Sequence, residues 1–303
     1  MRFSVWPSFA RPWPELHAFA RRVEEQGWYG IWYADHYMPD TPDGVAADGV
    51  ALECWSMLAA LAGAVPRLRL GSLVSPSTVH HPALLAKQAA TIDHVSDGRL
   101  VLGIGAGWQV NEHKAYGWDL RSPKNRVDRF EEFIQIVRSL LSENRTNFDG
   151  KHFTITDAPC DPKPVQSPMP IMVGSAGPRM MKVAARFATD WNAWGTPEVI
   201  REKLADLDAA CVAVGRDPAS LRRTSQALFV LNDDAKAVAT MRERMPVDRA
   251  VVGGVHELVD RFGAYKEIGI DELIVPDFTM GRNAEERRDA YDRVWTEVIS
   301  QVA

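Results

Sequence analysis

Short apolar β-like runs and amphipathic helical stretches alternate along nearly the whole sequence, and this alternation limits the fold more than any other feature. Eight β runs are read, at residues 2–6, 29–34, 68–74, 100–104, 170–174, 190–194, 221–230 and 271–275. Between most of them lie stretches whose apolar residues recur every three or four positions. In 13–25 these are Leu16, Phe19, Ala20 and Val23, with Gly27 as a stop signal. In 126–142 they are Phe130, Phe133, Ile134, Val137 and Leu141. Repeated strand–helix units imply parallel strands covered by helices. Eight units in 303 residues favour an α/β fold closed as a (β/α)8 TIM barrel over an open doubly wound sheet. No GxGxxG opens the first β–helix turn, which weakens the open-sheet reading further. The segment 146–155 breaks the alternation, because two short β runs flank Asp149-Gly150 and predict a β-hairpin insertion folded over the main body. No repeat or low-complexity tract marks a boundary, so residues 1–303 are expected to form a single domain.

Charge and cysteine content exclude several classes. The formal net charge is -5, which speaks against a generic nucleic-acid surface. No apolar run reaches the roughly 18 residues of a membrane span, and Arg11, Arg21, Arg22 and Glu24 interrupt the N-terminal segment. Neither a signal peptide nor a membrane helix is therefore expected, and the location expected is cytoplasmic. Cys54, Cys160 and Cys211 are odd in number and form no CxxC, so neither a disulfide framework nor a cysteine zinc site is expected. The histidines show no HExxH or other metal spacing, and no GxSxG nucleophile elbow occurs.

In such a barrel the chemistry sits at the C-terminal ends of the strands. Strand two ends in Asp35-His36. Alternation places Trp32, Ala34 and His36 on one face and Ile31, Tyr33 and Asp35 on the other. If the first face points inward, His36 stands at the barrel mouth as an acid, a base or a hydrogen-bond donor; otherwise it ties the strand to its loop. The glycines of 103–107 either admit a ligand close to the backbone or allow tight packing at the rim. Gly174-Ser175-Ala176-Gly177 joins a strand to a helix, so its N–H groups form either a phosphate site or a plain turn. Arg179, Lys182 and Arg186 share one face of that helix, available for an acidic ligand tail or merely solvated. Ten tryptophans are many for this length; Trp6, Trp108 and Trp194 at the rim would suit a flat aromatic ligand or core packing.

Several of these motifs occur together and in order. Asp35-His36, Arg69-Leu70-Gly71-Ser72 and His81-Pro82-Ala83 are followed by Asp93-His94-Val95-Ser96-Asp97-Gly98-Arg99. Leu102 to Trp108 and Pro170 to Gly177 complete the set, and with them the whole chain resembles the luciferase-like monooxygenases. That resemblance implies a TIM barrel with an insertion that binds reduced FMN or the deazaflavin coenzyme F420 at its mouth. It implies a non-prolyl cis peptide at Leu73-Val74, with Ser72 beside it, behind the ring. It places the ring-pocket histidine on His36, with Asp35 fixing it or the local geometry. It puts cofactor contacts on Ala106, Gly107, Trp108 and Asn111, and phosphate contacts on Gly174, Ser175, Ala176 and Gly177. Ala106 stands where bacterial luciferases carry a phosphate-binding arginine, and Trp108 stands where the F420-dependent sugar-phosphate dehydrogenases carry a catalytic glutamate.

The pattern is most similar to the F420-dependent oxidoreductases of the family. It implies hydride exchange between F420 and a small alcohol, carbonyl or activated alkene, in an apolar pocket shaped by Trp6, Trp108, Trp194 and the hairpin. The alternatives are a monooxygenase that takes reduced FMN from a separate flavin reductase, and a flavin-binding paralogue without turnover. The resemblance also implies a homodimer.

Overall fold

The computed structural model describes residues 1–174 and 177–302. Strand β1 (Arg2–Trp6) leads into helix α1 (Trp13–Gln26), which buries Leu16, Phe19, Ala20 and Val23, the stripe its spacing predicts. Gly27 ends α1 at φ 97°, the left-handed geometry that glycine adopts without a Cβ clash. Then follow β2 (Gly30–Tyr33), α2 (Cys54–Ala64), β3 (Arg69–Ser72), the short β4 (Ser75–Pro76), α3 (Pro82–Ser96) and β5 (Leu100–Gly105). Helices α4 (Val110–Tyr116) and α5 (Pro123–Ser142) precede a hairpin of β6 (Thr146–Asp149) and β7 (Thr154–Ala158). After it come β8 (Ile171–Gly174), α6 (Pro178–Phe187), β9 (Asp190–Trp194), α7 (Pro197–Ala213), β10 (Arg222–Gln226) and β11 (Leu228–Leu231). The chain closes through α8 (Ala235–Arg244), β12 (Ala250–Gly253), α9 (Val255–Glu267), β13 (Glu272–Pro276) and α10 (Ala284–Arg293), the last continuing through a π-helical turn at Val294–Ile299.

The sheet runs β3-β2-β1-β13-β10-β9-β8-β5-β4, and a further β3–β5 pairing closes it into a parallel barrel of eight main strands. It is a (β/α)8 TIM barrel, as the alternation predicts. Trp32, Ala34, Val101, Met172 and Ile274 fill the interior with Trp6 and Leu73. Ile31, Tyr33 and Leu70 face outward into the larger core beneath the helices. At the bottom of the barrel, Trp32 Nε1 donates to Glu272 Oε1 at 2.7 Å and Arg222 pairs with Glu272 Oε2 at 2.7 Å, so a buried carboxylate plugs that end.

Three sequence readings change. The run 221–230 is not one strand: Gln226 ends its barrel half, and β11 leaves to pair with β12 in a separate two-stranded sheet around α8. The four-residue run Ala250–Gly253 was too short to be read as a strand. Helix α4 was also missed, since its seven residues give little periodicity. The hairpin forms where expected, with Glu132 of α5 accepting from the backbone N–H groups of Lys151, His152 and Phe153. Among the described residues no helix is long and apolar enough to cross a membrane.

The motif Asp93 to Arg99 has a structural task. Asp97 and Gly98 take φ 56° and 76°, turning the chain sharply after α3. The Arg99 guanidinium then donates to the carbonyls of Ser96, Leu68 and Ala62 at 2.6–2.8 Å, tying together the C-terminal end of α3, the start of β3 and α2. These are charge-assisted bonds to three backbone carbonyls.

Candidate active site

A cavity of about 650 Å³ opens at the C-terminal ends of the barrel strands. Its volume is that of a small-molecule or cofactor site. Leu73 and Val74 form one wall, and the Leu73–Val74 peptide is cis, as the resemblance implies. Trp6 and Trp194 stand on other walls with ring centroids 5.4 Å apart, and Phe278 meets the Trp6 ring edge-on at 5.0 Å. Trp108 is 57% exposed at the mouth, with its ring edge-to-face against His36 at 5.4 Å.

His36 faces the cavity because Ala34 and Trp32, two and four residues before it, point into the barrel. Its Nδ1 lies 3.2 Å from Glu112 Oε1, and Glu112 Oε2 accepts from the Tyr37 N–H at 3.0 Å. Glu112 is buried on α4. The same segment grips the loop after β2 twice more: Gln109 Nε2 donates to the Met38 carbonyl at 3.0 Å, and Asn111 Nδ2 to that of Pro39 at 2.8 Å. The imidazole is thus held through Nδ1, which leaves Nε2 for a ligand.

Asp35 points the other way and does not orient His36. Its Oδ2 bonds His80 Nε2 at 2.8 Å, Trp55 Nε1 at 3.2 Å and the Ser75 hydroxyl. Burial pushes this carboxyl up, but the charge and hydrogen bond of His80, with the Ser75 bond, outweigh it and hold it below its usual range. For His80, burial favours the neutral ring, and the Asp35 carboxylate reverses this and raises its affinity for a proton. Of the two roles expected of Asp35, fixing His36 or the local geometry, the first is corrected and the second stands: alternation along one strand sends neighbours to opposite faces, Asp35 ties Ser75, Trp55 and His80 together, and the carboxylate that holds His36 is Glu112.

Of the residues singled out in the sequence, the cavity brings together Trp6, His36, Leu73, Val74, Trp108, Gly174 and Trp194. Ser72 is wholly buried, its hydroxyl donating to the Gly103 carbonyl at 2.7 Å and accepting from the Gly103 N–H at 3.1 Å. Ala106, Gly107, Asn111 and Gly177 are not among the cavity walls. Ser175 and Ala176 lie outside the described residues. The glycines of the 103–107 stretch have protein neighbours. A Cβ at Gly103 would lie 1.8 Å from the Ser72 carbonyl oxygen, one at Gly105 2.8 Å from Val74, and one at Gly107 2.3 Å from the Thr78 hydroxyl. Packing against the neighbouring strand and loop therefore accounts for all three.

The face of α6 that offered Arg179, Lys182 and Arg186 is largely neutralised. Arg179 pairs with Asp128 at 2.6 Å and Arg186 with Glu131 at 2.7 Å, leaving Lys182 without an ion pair among the described residues. The hairpin does not line the cavity, as the sequence reading had it do; the insertion between β11 and β12 does, through Asp248 and Arg249. Beside them Lys203 Nζ donates to the Trp194 carbonyl at 2.6 Å. On the floor, Asn192 and Gln226 are both only 2% exposed. Strand alternation with Trp194 could have flagged Asn192, but Gln226, Lys203, Asp248 and Arg249 had no local signal. No group of three or more His, Cys, Asp or Glu side chains suited to a metal occurs among the described residues.

The model of the luciferase-like monooxygenase family matches residues 1–247. The chain is 29% identical over 267 residues to an F420-dependent glucose-6-phosphate dehydrogenase of Kineococcus radiotolerans, covering 86% of this chain and 77% of that one. It is 30% identical over 223 residues to an F420-dependent hydroxymycolic acid dehydrogenase of Mycobacterium tuberculosis, covering 73% of this chain and 60% of that one. In fold it is similar to an F420-dependent secondary alcohol dehydrogenase solved with an F420–acetone adduct, with a TM-score of 0.85, 18% identity and coverage of 100% and 99% of the two chains. The chain belongs to the luciferase-like monooxygenase family.

Proposed function

We propose that the protein is an F420-dependent oxidoreductase that exchanges a hydride between the deazaflavin and a small alcohol, carbonyl or activated alkene. The observation that carries this reading is His36, facing an aromatic-walled cavity with Nδ1 held by Glu112 and Nε2 left for a ligand. The residues present fit a flat ring cofactor: an apolar wall of Leu73 and Val74, facing aromatic rings, and a floor with open polar atoms. The relatives named for F420 support the choice of cofactor, as does alanine at position 106. When bound, the deazaflavin supplies a carbon that gives or takes hydride.

The chain's own residues do the rest. His36 Nε2 gives a proton to, or takes one from, the substrate oxygen, while Glu112 holds the ring plane and favours the proton on Nδ1. Trp6, Trp194 and Phe278 exclude water from the reacting face. Trp108, in place of a carboxylate, offers the substrate an apolar edge beside His36.

Equilibrium titration of the purified protein with F420 and FMN side by side tests the reading. We expect F420 to bind at least 10-fold tighter, a difference of about 1.4 kcal/mol. Equal or tighter binding of FMN, with oxygen-dependent product formation, would instead make the protein a monooxygenase served by a flavin reductase.

A further inference from the structure

We infer that Asn192 and Gln226 form a recognition site for a hydroxyl group in the cavity floor. Its occupant is the phenol of the deazaflavin ring or the hydroxyl of an alcohol substrate. The inference rests on the deazaflavin reading above and assigns that pocket a chemistry which the family motifs do not.

The argument is one of hydrogen-bond polarity. A peptide carbonyl and a thioether sulfur only accept, so the single hydroxyl proton of Thr224 goes to the Trp191 carbonyl, 3.0 Å away, or to the more distant Met172 sulfur at 3.5 Å. The Thr224 oxygen can then only accept from Asn192, and the group facing it at 2.8 Å must be the Asn192 amide nitrogen. This settles an amide orientation that side-chain shape alone leaves ambiguous. The same nitrogen lies 2.7 Å from Gln226, so the group there must be the Gln226 carbonyl oxygen. Each amide therefore has one end fixed within the barrel. The other ends, Asn192 Oδ1 and Gln226 Nε2, make no hydrogen bond to the protein among the described residues, yet neither is sealed off from solvent. Both residues line the cavity.

The floor thus presents one acceptor and one donor, pre-oriented on largely buried residues. A carboxylate would be repelled by Asn192 Oδ1, and a ketone would leave that oxygen unpaired. A hydroxyl satisfies both with one atom, accepting from Gln226 and donating to Asn192. A site built this way discriminates strongly against a ligand that lacks the group, because its own polar atoms are then buried without partners. F420 carries a phenol on its ring where FMN carries a methyl, so this floor is a physical basis for choosing between them. It stands apart from His36 as well: β9 and β2 lie on opposite sides of the barrel, with three strands between them in either direction around the sheet.

The test uses the full chain with Gln226→Met, which removes the donor, and Gln226→Glu, which keeps an acceptor for Asn192 but replaces the donor by an anionic oxygen. Dissociation constants for F420 and FMN are measured by titration, and KM and kcat for butan-2-ol and cyclohexanol with the F420-loaded protein. If the ring phenol is the occupant, both variants weaken F420 at least 10-fold and FMN less than 3-fold. The absorption band of bound F420, which reports phenol ionisation, shifts as well. If a substrate hydroxyl is the occupant, both cofactors bind within 3-fold of wild type and the alcohol KM rises at least 10-fold with kcat little changed. Equal weakening of F420 and FMN would place the imide edge common to both rings on this floor and overturn the proposal, as would no change in either set. Should Gln226→Met fail to fold, Gln226→Glu decides. The wild-type titration separates the two failures: if F420 binds and the variants do not respond, only the floor assignment falls; if F420 does not bind, the function reading falls and takes this inference with it.

Discussion

Two histidine–carboxylate pairs sit back to back at the end of β2. Asp35 and His36 are neighbours in the chain, yet they belong to different pairs and different environments. Asp35 turns outward into a closed network with His80, Ser75 and Trp55, where it is 1% exposed. His36 turns inward, and with Glu112 behind it the ring is 17% exposed to the cavity. The same two chemical groups, a carboxylate and an imidazole, therefore serve two ends: one pair with its shared oxygen enclosed by three donors, the other with one nitrogen left over. A buried carboxylate oxygen held by three donors contributes rigidity, whereas a held imidazole with a free nitrogen contributes chemistry.

The largest effect should come from the inward pair. His36→Ala is expected to lower turnover by about 10²–10⁴-fold with little change in cofactor affinity or thermal stability. Unchanged kcat with the cofactor bound would reduce His36 to a wall residue.

Breaking the outward pair should read out in stability instead. Asp35→Ala leaves His80, Ser75 and Trp55 without their shared acceptor, and we expect a loss of about 3–5 kcal/mol in denaturant unfolding. A loss below about 1 kcal/mol would show that the two pairs are not as different as their burial implies.

The pH dependence follows from the two shifts. Asp35 is held below its ordinary 3.8, so its contribution is present above that value and is lost as pH falls through the lower folded-state pKa. His80 is raised above 6.5, so its contribution is complete below 6.5 and is lost as pH rises through the higher folded-state pKa. The pair therefore stabilises most between about pH 4 and 6.5. The gap in melting temperature between the wild type and His80→Gln should be widest in that window and narrow on the alkaline side. A gap that widens above pH 7 would reverse the assignment.

The smallest effect belongs to α6. Arg186 is half exposed and paired with Glu131, so Arg186→Ala should cost no more than about 0.5 kcal/mol. It should also leave F420 affinity within about twofold, since its charge is already neutralised. A larger, salt-sensitive loss of F420 binding would mean that the acidic tail of the cofactor displaces Glu131.

The legibility of the site divides along the same line. Alternation in one strand was enough to send His36 and Asp35 to opposite faces, because side chains of an extended chain alternate faces whatever surrounds them, but which face is inward came only with the packing of Trp32 and Ala34 inside the closed barrel. It could not supply their partners: Glu112 is 76 residues from His36, and His80 is 45 residues from Asp35. The glycines of the 103–107 stretch were visible, but their reason was not. It lies in the Ser72 carbonyl, Val74 and the Thr78 side chain, brought alongside by barrel closure. Likewise Asp93 to Arg99 carried much of the resemblance while its arginine ties helices and strands at the opposite end of the barrel from the cavity.

What the sequence determined by itself was periodic: the strand–helix order, the eight main barrel strands, the hairpin about Asp149-Gly150 and the division of β2 residues between two faces. These follow from local backbone geometry and the burial of apolar faces, which operate over a few residues. What only the tertiary structure decided was convergence. The β11–β12 sheet, the choice of Glu112 as the partner of His36, and the chain from Trp191 through Thr224 and Asn192 to Gln226 all join residues from separate elements. Hydrogen bonds are short-ranged and directional, so their pattern exists only once the barrel has closed and fixed which strand ends face one another.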